Sequence, residues 1–273
     1  MARTTKKRTK QLKHDKFRDT TFDVYGRLSH RIEGRERTLL YALAGVAAVV
    51  ALLLVFNWWR GRQAEAASAA LGKAIEIAET PVATGTPLPG DTSLKFASEK
   101  ERAQKAVEAF QKVQSEYGSP YSELARYFAA ASLLTLDRPK GLGELEALAK
   151  SGDADVSARS KFALAQARES DAQYDQAGAL YQELLADKNR PVSENTLKLR
   201  LAAVYEKQGK RDEAADLLFQ MVEAARKAQG KDGKPLPESA VIGTAADKLQ
   251  ELDPARFGQL SEKPKREPGA LPF

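Results

Sequence analysis

The sequence predicts an all-α protein in which one transmembrane helix is followed by a solenoid of helical hairpins. First, the 21 residues Leu39–Trp59 contain no charged side chain. Second, apolar residues after residue 98 recur at helical spacing, and no stretch sustains the alternation typical of a strand. Third, paired small and large apolar landmarks recur 37 residues apart, as expected of stacked helix pairs that cannot bury their apolar faces alone.

The uncharged stretch Leu39–Trp59 has the length of a membrane-spanning helix. At about 1.5 Å per residue it reaches about 30 Å, the thickness of a bilayer's hydrocarbon core. Arg37 and Arg60 bound it, and the rings of Trp58 and Trp59 suit headgroup depth. A buried core helix seldom runs this long without a polar face, so the composition favours a membrane span.

A cleaved signal peptide is the alternative, because Ala64-Glu65-Ala66 resembles a small-x-small cleavage site. Signal peptides have an apolar core of about 7–15 residues, which this stretch exceeds. It is also preceded by 38 residues. We therefore predict a retained anchor at 39–59.

Charge is distributed unevenly about the anchor. Residues 1–37 hold twelve Lys or Arg and five Asp or Glu, whereas the whole chain has 43 and 37. The net charge of +6 thus belongs to the tail. Basic residues flanking a span favour the cytoplasmic side, so we predict a cytoplasmic N-terminus and a large extracytoplasmic C-terminal part.

The predicted cytoplasmic tail, residues 1–38, has two parts. Residues 1–16 are basic and poor in apolar side chains, which predicts disorder and contact with anionic lipid rather than nucleic acid. A helical stripe then predicts a short amphipathic helix on the inner leaflet, with packing on a partner as the alternative; its residues are Phe22, Tyr25, Leu28 and Ile32.

Within the span, small side chains follow one side of the helix, which allows close packing of helices in lipid. These residues are Ala44, Ala47, Ala48 and Ala51. Alanine is also common in membrane helices, so a homo-oligomer formed through this face is only one interpretation.

The predicted extracytoplasmic domain covers residues 60–256 and contains a Pro/Gly-rich loop at 81–97. A polar tail at 257–273 is expected to be disordered. Helices after the loop are predicted at about 98–117, 120–136, 139–150, 154–170, 173–187, 193–208, 211–229 and 238–252, with the last capping the stack.

The repeat is clearest in the last two helix pairs. Small residues are expected where the helices of a pair cross, and bulky residues between them. The crossing positions are Gly72, Ala165 and Ala202 for the first contact and Ala106, Ala177 and Ala214 for the second; the bulky residues are Phe110, Tyr181 and Leu218. Residues 121–152 lack the A-x-x-x-F element and predict a shortened or irregular unit.

This order of landmarks resembles the tetratricopeptide (TPR) repeat. With the basic tail and single span, residues 39–228 resemble the membrane-anchored bacterial TPR family that includes the ancillary Sec translocon subunit (YfgM-like). The resemblance implies a TPR-like solenoid in the periplasm, anchored in the bacterial inner membrane. It also implies docking on translocon subunits, periplasmic chaperones or emerging clients.

Catalytic chemistry is poorly represented. The chain has no cysteine, and its two histidines, His14 and His30, lie in the tail, so the domain lacks common nucleophile systems and zinc or copper sites. We expect no cofactor and no metal, and a non-enzymatic scaffold. An envelope assembly protein that self-associates, and an enzyme that uses carboxylates alone, remain alternatives.

The first helix of each pair lines the groove of a TPR stack, which predicts a protein-binding site. The predicted groove residues are Tyr127, Phe162 and Leu199 on equivalent turns, with Gln166, Ala203 and Lys207 one turn further. Such a ladder could hold an extended or helical peptide. Alternatively, neighbouring helices cover these side chains.

Overall fold

The computed structural model describes residues 36–83, 96–230 and 234–263, with side chains from Leu40 onward. Within these ranges there are isolated bridges but no strand, and the all-α class is confirmed. The helices are α1 (Glu36–Glu79), α2 (Glu99–Glu116), α3 (Tyr121–Leu136), α4 (Arg138–Leu148), α5 (Ala154–Ser170), α6 (Tyr174–Ala186), α7 (Glu194–Lys207), α8 (Arg211–Lys227), α9 (Ala240–Leu252) and α10 (Pro254–Phe257). The predicted bounds of α2 to α9 agree to within two residues.

The chain divides into two compact units, Met1–Ala64 and Glu65–Phe273. In the first, α1 begins with large apolar side chains that are all exposed, from Leu40 to Trp59. This is the one helix among the described residues with a window apolar enough to cross a membrane, at a mean hydropathy of 2.4. The four alanines of the predicted packing face are exposed. The predicted amphipathic helix at 22–32 lies outside the described residues.

The second unit is a series of helix pairs, each buried against the next. Residues 65–79 of α1 pair with α2, followed by α3/α4, α5/α6 and α7/α8, with α9 last. Core cluster 1 is Leu71, Ala74, Ala106, Phe110, Val113, Ala125 and Ala129. Core cluster 2 is Ala130, Leu145, Leu148, Val156, Ala163 and Leu164. Core cluster 3 is Ala158, Ala165, Ala177, Tyr181, Leu184, Leu197, Leu201 and Val204. Core cluster 4 is Ala202, Ala214, Ala215, Leu218, Met221, Val222, Ile242, Ala245, Ala246 and Leu249.

Most of the predicted crossing positions are confirmed. The three bulky residues Phe110, Tyr181 and Leu218 are fully buried, as are the small residues at the helix crossings, Ala106, Ala165, Ala177, Ala202 and Ala214. Gly72 is the exception, since it is exposed and a Cβ there would meet no atom within 4 Å. The prediction for Gly72 was wrong because α1 packs through Ala67, Leu71 and Ala74, which share a different helix face.

A glycine does mediate a close helix contact in the irregular second helix pair, α3/α4. A Cβ built on Gly141 of α4 would lie 2.8 Å from the backbone nitrogen of Leu134 and 3.0 Å from the carbonyl oxygen of Ala130, both in α3. Asp137 alone connects the two helices, and its side chain accepts a hydrogen bond from the Lys140 N–H. The short α4 therefore lies against the α3 backbone itself.

The turns inside the third and fourth pairs repeat the same geometry. Ala172 has φ 56° and Gly209, 37 residues later, has φ 79°. Both turns carry the paired backbone hydrogen bonds of a Schellman motif, from Gln173 to Arg168 (2.8 Å) in one and from Lys210 to Tyr205 (2.9 Å) in the other. The repeat is therefore present in the backbone as well as in the core.

Ala172→Gly should raise stability by about 1 kcal/mol, because a left-handed conformation strains every residue with a Cβ. In a domain of this size we expect a rise of roughly 2–4 °C in Tm, measured by circular dichroism on the full chain in detergent. Gly209→Ala is the mirror-image control and should lower Tm. An unchanged or lower Tm for Ala172→Gly would contradict the strain argument.

Polar contacts join consecutive pairs along one edge of the stack. The guanidinium of Arg138, at the start of α4, donates to the Ala167 carbonyl at the end of α5 (2.9 Å) and pairs with Asp171 (2.8 Å). One junction further, Gln208 after α7 donates to Asp175 in α6 (2.7 Å). Arg211 of α8 donates to the Leu252 carbonyl of α9 (3.3 Å). In each case the second helix of a pair is attached, near its start, to the end of the helix that begins the next layer. The attached helices are α4 and α5, α6 and α7, and α8 and α9.

The predicted C-terminal tail began at residue 257, whereas the structure describes contacts up to Lys263. Residues 254–263, here called the C-terminal strap, run along α8. Arg256 pairs with Asp216 (2.8 Å), and Ser261 donates from its backbone N–H and its hydroxyl to the two carboxylate oxygens of Glu223 (2.9 and 2.8 Å). Residues 264–273 lie outside the described ranges.

Hydrogen bonds from Lys227 and then from Ser261 lower the pKa of Glu223 from 4.5 to about 2. This folded-state pKa lies below the unfolded one, so the attachment of the strap is strongest above about pH 4.5. It should be lost as the pH falls through about 2. The amide resonance of Ser261, in chain labelled with ¹⁵N-serine, should follow this transition. A midpoint near pH 4.5, or the same transition in Glu223→Gln, would contradict the assignment.

Candidate functional site

The candidate site is the face of the stack formed by the first helices of successive pairs. These helices are α3, α5 and α7, and α9 follows them in the same layer. Helix α3 contacts α5, and α7 contacts α9, in addition to the contacts within each pair. Helices α5 and α7 share core cluster 3, and Arg200 of α7 pairs with Glu169 of α5 (3.7 Å). The side chains predicted at equivalent turns of these helices are here called the first row, Tyr127, Phe162 and Leu199, and the second row, Gln166, Ala203 and Lys207.

The three predicted apolar groove residues are half-buried, each in a different part of the core. Tyr127 packs edge-on against Phe128, with ring centroids 5.1 Å apart, beside core cluster 2. Phe162 packs edge-on against Tyr181 at 6.2 Å, beside core cluster 3. Leu199 packs on core cluster 4. Each side chain therefore supports the fold with one side and remains partly accessible on the other.

The second predicted row is more open. Gln166 and Lys207 are exposed, and Ala203 is half-buried between them in the repeat. Lys207 makes no ion pair with any residue that the structure describes. The row therefore offers an amide and a free ammonium group beside the apolar row.

Charged groups flank the two rows. Arg159 pairs with Asp155 (2.7 Å), and Lys248 of α9 pairs with Glu206 of α7 (3.5 Å). Burial raises the pKa of the Tyr127 hydroxyl, and the positive charge of Arg159 opposes this rise. The Tyr127 hydroxyl therefore stays protonated at neutral pH.

Sequence reasoning missed a surface pocket of about 420 Å³ beside the two repeated turns. Its lining residues are Ala172, Gln173, Tyr174, Asp175, Gln176, Gln208 and Lys210. Lys210 also lies over the ring of Tyr205, 5.8 Å from its centroid. The 37-residue spacing of Ala172 and Gly209 was the available signal, since it brings equivalent turns side by side.

Several carboxylates of the second unit form ion pairs, helix caps or hydrogen bonds. Arg126 holds Glu144 (2.8 Å), Asp153 caps α5, and the hydroxyl of the buried Tyr181 donates to Glu169 (2.8 Å). Among the described residues, no group of three His, Cys, Asp or Glu side chains could hold a metal ion.

Comparison with known proteins identifies the fourth helix pair. The tetratricopeptide repeat family model matches residues 196–232, which cover most of α7 and all of α8. No curated protein and no solved structure matches the chain. The match coincides with the unit whose crossing residues Ala202 and Ala214 and filling residue Leu218 are buried as the repeat requires. The chain is therefore a TPR-containing protein, with one long apolar helix followed by helical repeats.

Proposed function

We propose that this chain is a membrane-anchored scaffold that binds other proteins through the face formed by α3, α5 and α7. Tetratricopeptide repeats generally mediate protein–protein interactions, and the match at 196–232 supports that role here. The observation that carries the proposal is the row of half-buried side chains on successive first helices, Tyr127, Phe162 and Leu199.

The chemistry of the two rows defines the kind of ligand. The three apolar side chains lie on three successive first helices, so they would contact a bound segment at separate points along its length. The exposed amide of Gln166 can hydrogen-bond to the backbone of an extended peptide, and Lys207 can pair with an acidic side chain. The proposed ligand is a peptide segment with regularly spaced apolar residues.

The proposed setting combines the charge pattern with the family resemblance. Residues 39–59 anchor the chain in a bacterial inner membrane, the tail 1–38 lies in the cytoplasm beside anionic lipid, and residues 60–256 form a periplasmic domain. The exposed apolar stretch of α1 supports the anchor. The partners proposed from the resemblance are translocon subunits, periplasmic chaperones or their clients.

Photocrosslinking in living cells tests the proposed face. A photoreactive residue at Gln166 is compared with one at Gln111, an exposed glutamine on α2, the second helix of its pair. Both positions are exposed, so neither probe disturbs the core. We expect adducts to other proteins at Gln166 and few at Gln111. Equal labelling at both positions, or none at Gln166, would contradict binding at this face.

Further probes separate the partner classes. A probe at Ala48 reports neighbours of the apolar stretch, and probes at Tyr127 and Phe162 report the half-buried row. Adducts to translocon subunits or periplasmic chaperones would support the proposed setting. Adducts of the chain only to itself would overturn that setting in favour of a self-associating envelope protein.

A further inference from the structure

We propose that the C-terminal strap, residues 254–263, is a releasable cover that opens and closes while the repeat beneath it stays folded. The first observation is burial. No side chain of the strap is fully buried, and only Phe257 and Leu260 pack on core cluster 4. Helix α9 beside it contributes four buried residues, Ile242, Ala245, Ala246 and Leu249. Segments with few buried apolar contacts open at the lowest free energy.

The second observation is that the strap is held mainly by polar groups. Ser261 donates twice to Glu223, and its own carbonyl accepts from Arg226 (2.7 Å). Lys263 pairs with Glu238 (2.9 Å), and Arg256 pairs with Asp216. Water can satisfy each of these groups when the strap leaves, so opening costs little compared with exposing an apolar core.

The third observation concerns the surface that receives the strap. Glu238 already holds the guanidinium of Arg226 (2.8 Å), with both side chains nearly buried at 6% and 9% exposure. Lys227 likewise holds the carboxylate of Glu223 (2.8 Å). When the strap leaves, neither Arg226 nor Glu223 becomes an unpaired charge. The receiving surface is therefore preorganised, and opening requires no rearrangement of α8.

Opening would uncover the part of core cluster 4 that lies beneath Phe257 and Leu260. Terminal units of repeat stacks need a polar outer cover, and here the strap supplies part of it. The strap thus controls whether this end of the stack is closed. This device is independent of the proposed binding face on α3, α5 and α7.

Hydrogen exchange followed by mass spectrometry on the full chain in detergent tests the proposal. Glu223→Ala removes both acceptors of Ser261. Glu213→Ala is the matched control on α8, because Glu213 is exposed and forms no hydrogen bond or ion pair with any strap residue that the structure describes. We expect exchange of residues 258–263 to become about tenfold faster in Glu223→Ala, a change of about 1.4 kcal/mol. Exchange in α8 and α9 should stay unchanged, and Glu213→Ala should behave as the unmodified chain does.

Two results would overturn the proposal. Unchanged exchange of residues 258–263 in Glu223→Ala would show that this contact does not hold the strap closed. Equal acceleration in the strap, α8 and α9 would show that the strap opens only when the whole last repeat unfolds.

Discussion

Replacing Phe110 with alanine should lower the free energy of unfolding of the second unit, Glu65–Phe273, by about 3–5 kcal/mol. Phe110 is fully buried in core cluster 1, and its ring stacks on Phe128 with centroids 5.3 Å apart. Truncation removes the transfer free energy of the ring and leaves a cavity between α1, α2 and α3. The loss corresponds to a fall in Tm on the order of 10 °C, measured by circular dichroism on the full chain in detergent.

Phe219→Ala is the matched control, because Phe219 is only half-buried beside core cluster 4. It removes the same atoms from a site that already contacts water, so we expect a loss of about 1 kcal/mol. Equal losses for the two variants would contradict the assignment of Phe110 as the central residue of its helix pair.

Gly141→Ala should destabilise the second helix pair by about 1–3 kcal/mol. The added methyl group would lie 2.8 Å from the Leu134 nitrogen and 3.0 Å from the Ala130 oxygen. Both are backbone atoms of α3, so α4 itself must move away. That movement loosens the packing of Leu145 and Leu148 against the other residues of core cluster 2.

Gly143→Ala supplies the opposite result in the same helix. A Cβ at Gly143 would meet no atom within 4 Å, and alanine is favoured over glycine in a helix by about 1 kcal/mol. In thermal unfolding, the Tm of Gly143→Ala should therefore lie above that of the unmodified chain, and the Tm of Gly141→Ala should lie below it. Two variants with the same Tm would show that α3 and α4 do not pack as closely as described.

The sequence was sufficient to predict the helices and the repeat, because both depend on local spacing. Tyr181 and Leu218, 37 residues apart, mark the same filling position, and the landmark alanines fall where the helices cross. The two glycines show the limit of such reasoning. Gly72 follows a leucine and Gly141 precedes one, so their local sequences look alike. Only Gly141 approaches the backbone of another helix. Which face of a helix points towards its neighbour depends on how the whole helix packs.

The proposed binding face follows from the sequence only in part. Register alone placed Tyr127, Phe162 and Leu199 on equivalent turns, but their half-buried state depends on neighbours from other helices. The strap could not be predicted at all. Its sequence is polar, and what attaches it is a set of charged partners on α8 that lie 35 or more residues earlier in the chain.

The polar contacts between consecutive helix pairs have a mechanical consequence. They are formed by Arg138, by Gln208 with Asp175, and by Arg211. They lie at the same edge of the stack, each between one helix pair and the next. A pulling force along the stack would act on all three junctions at once, because they lie in series, and the weakest junction would break first. Extension under force would therefore proceed in steps, each of which separates one helix pair from the next.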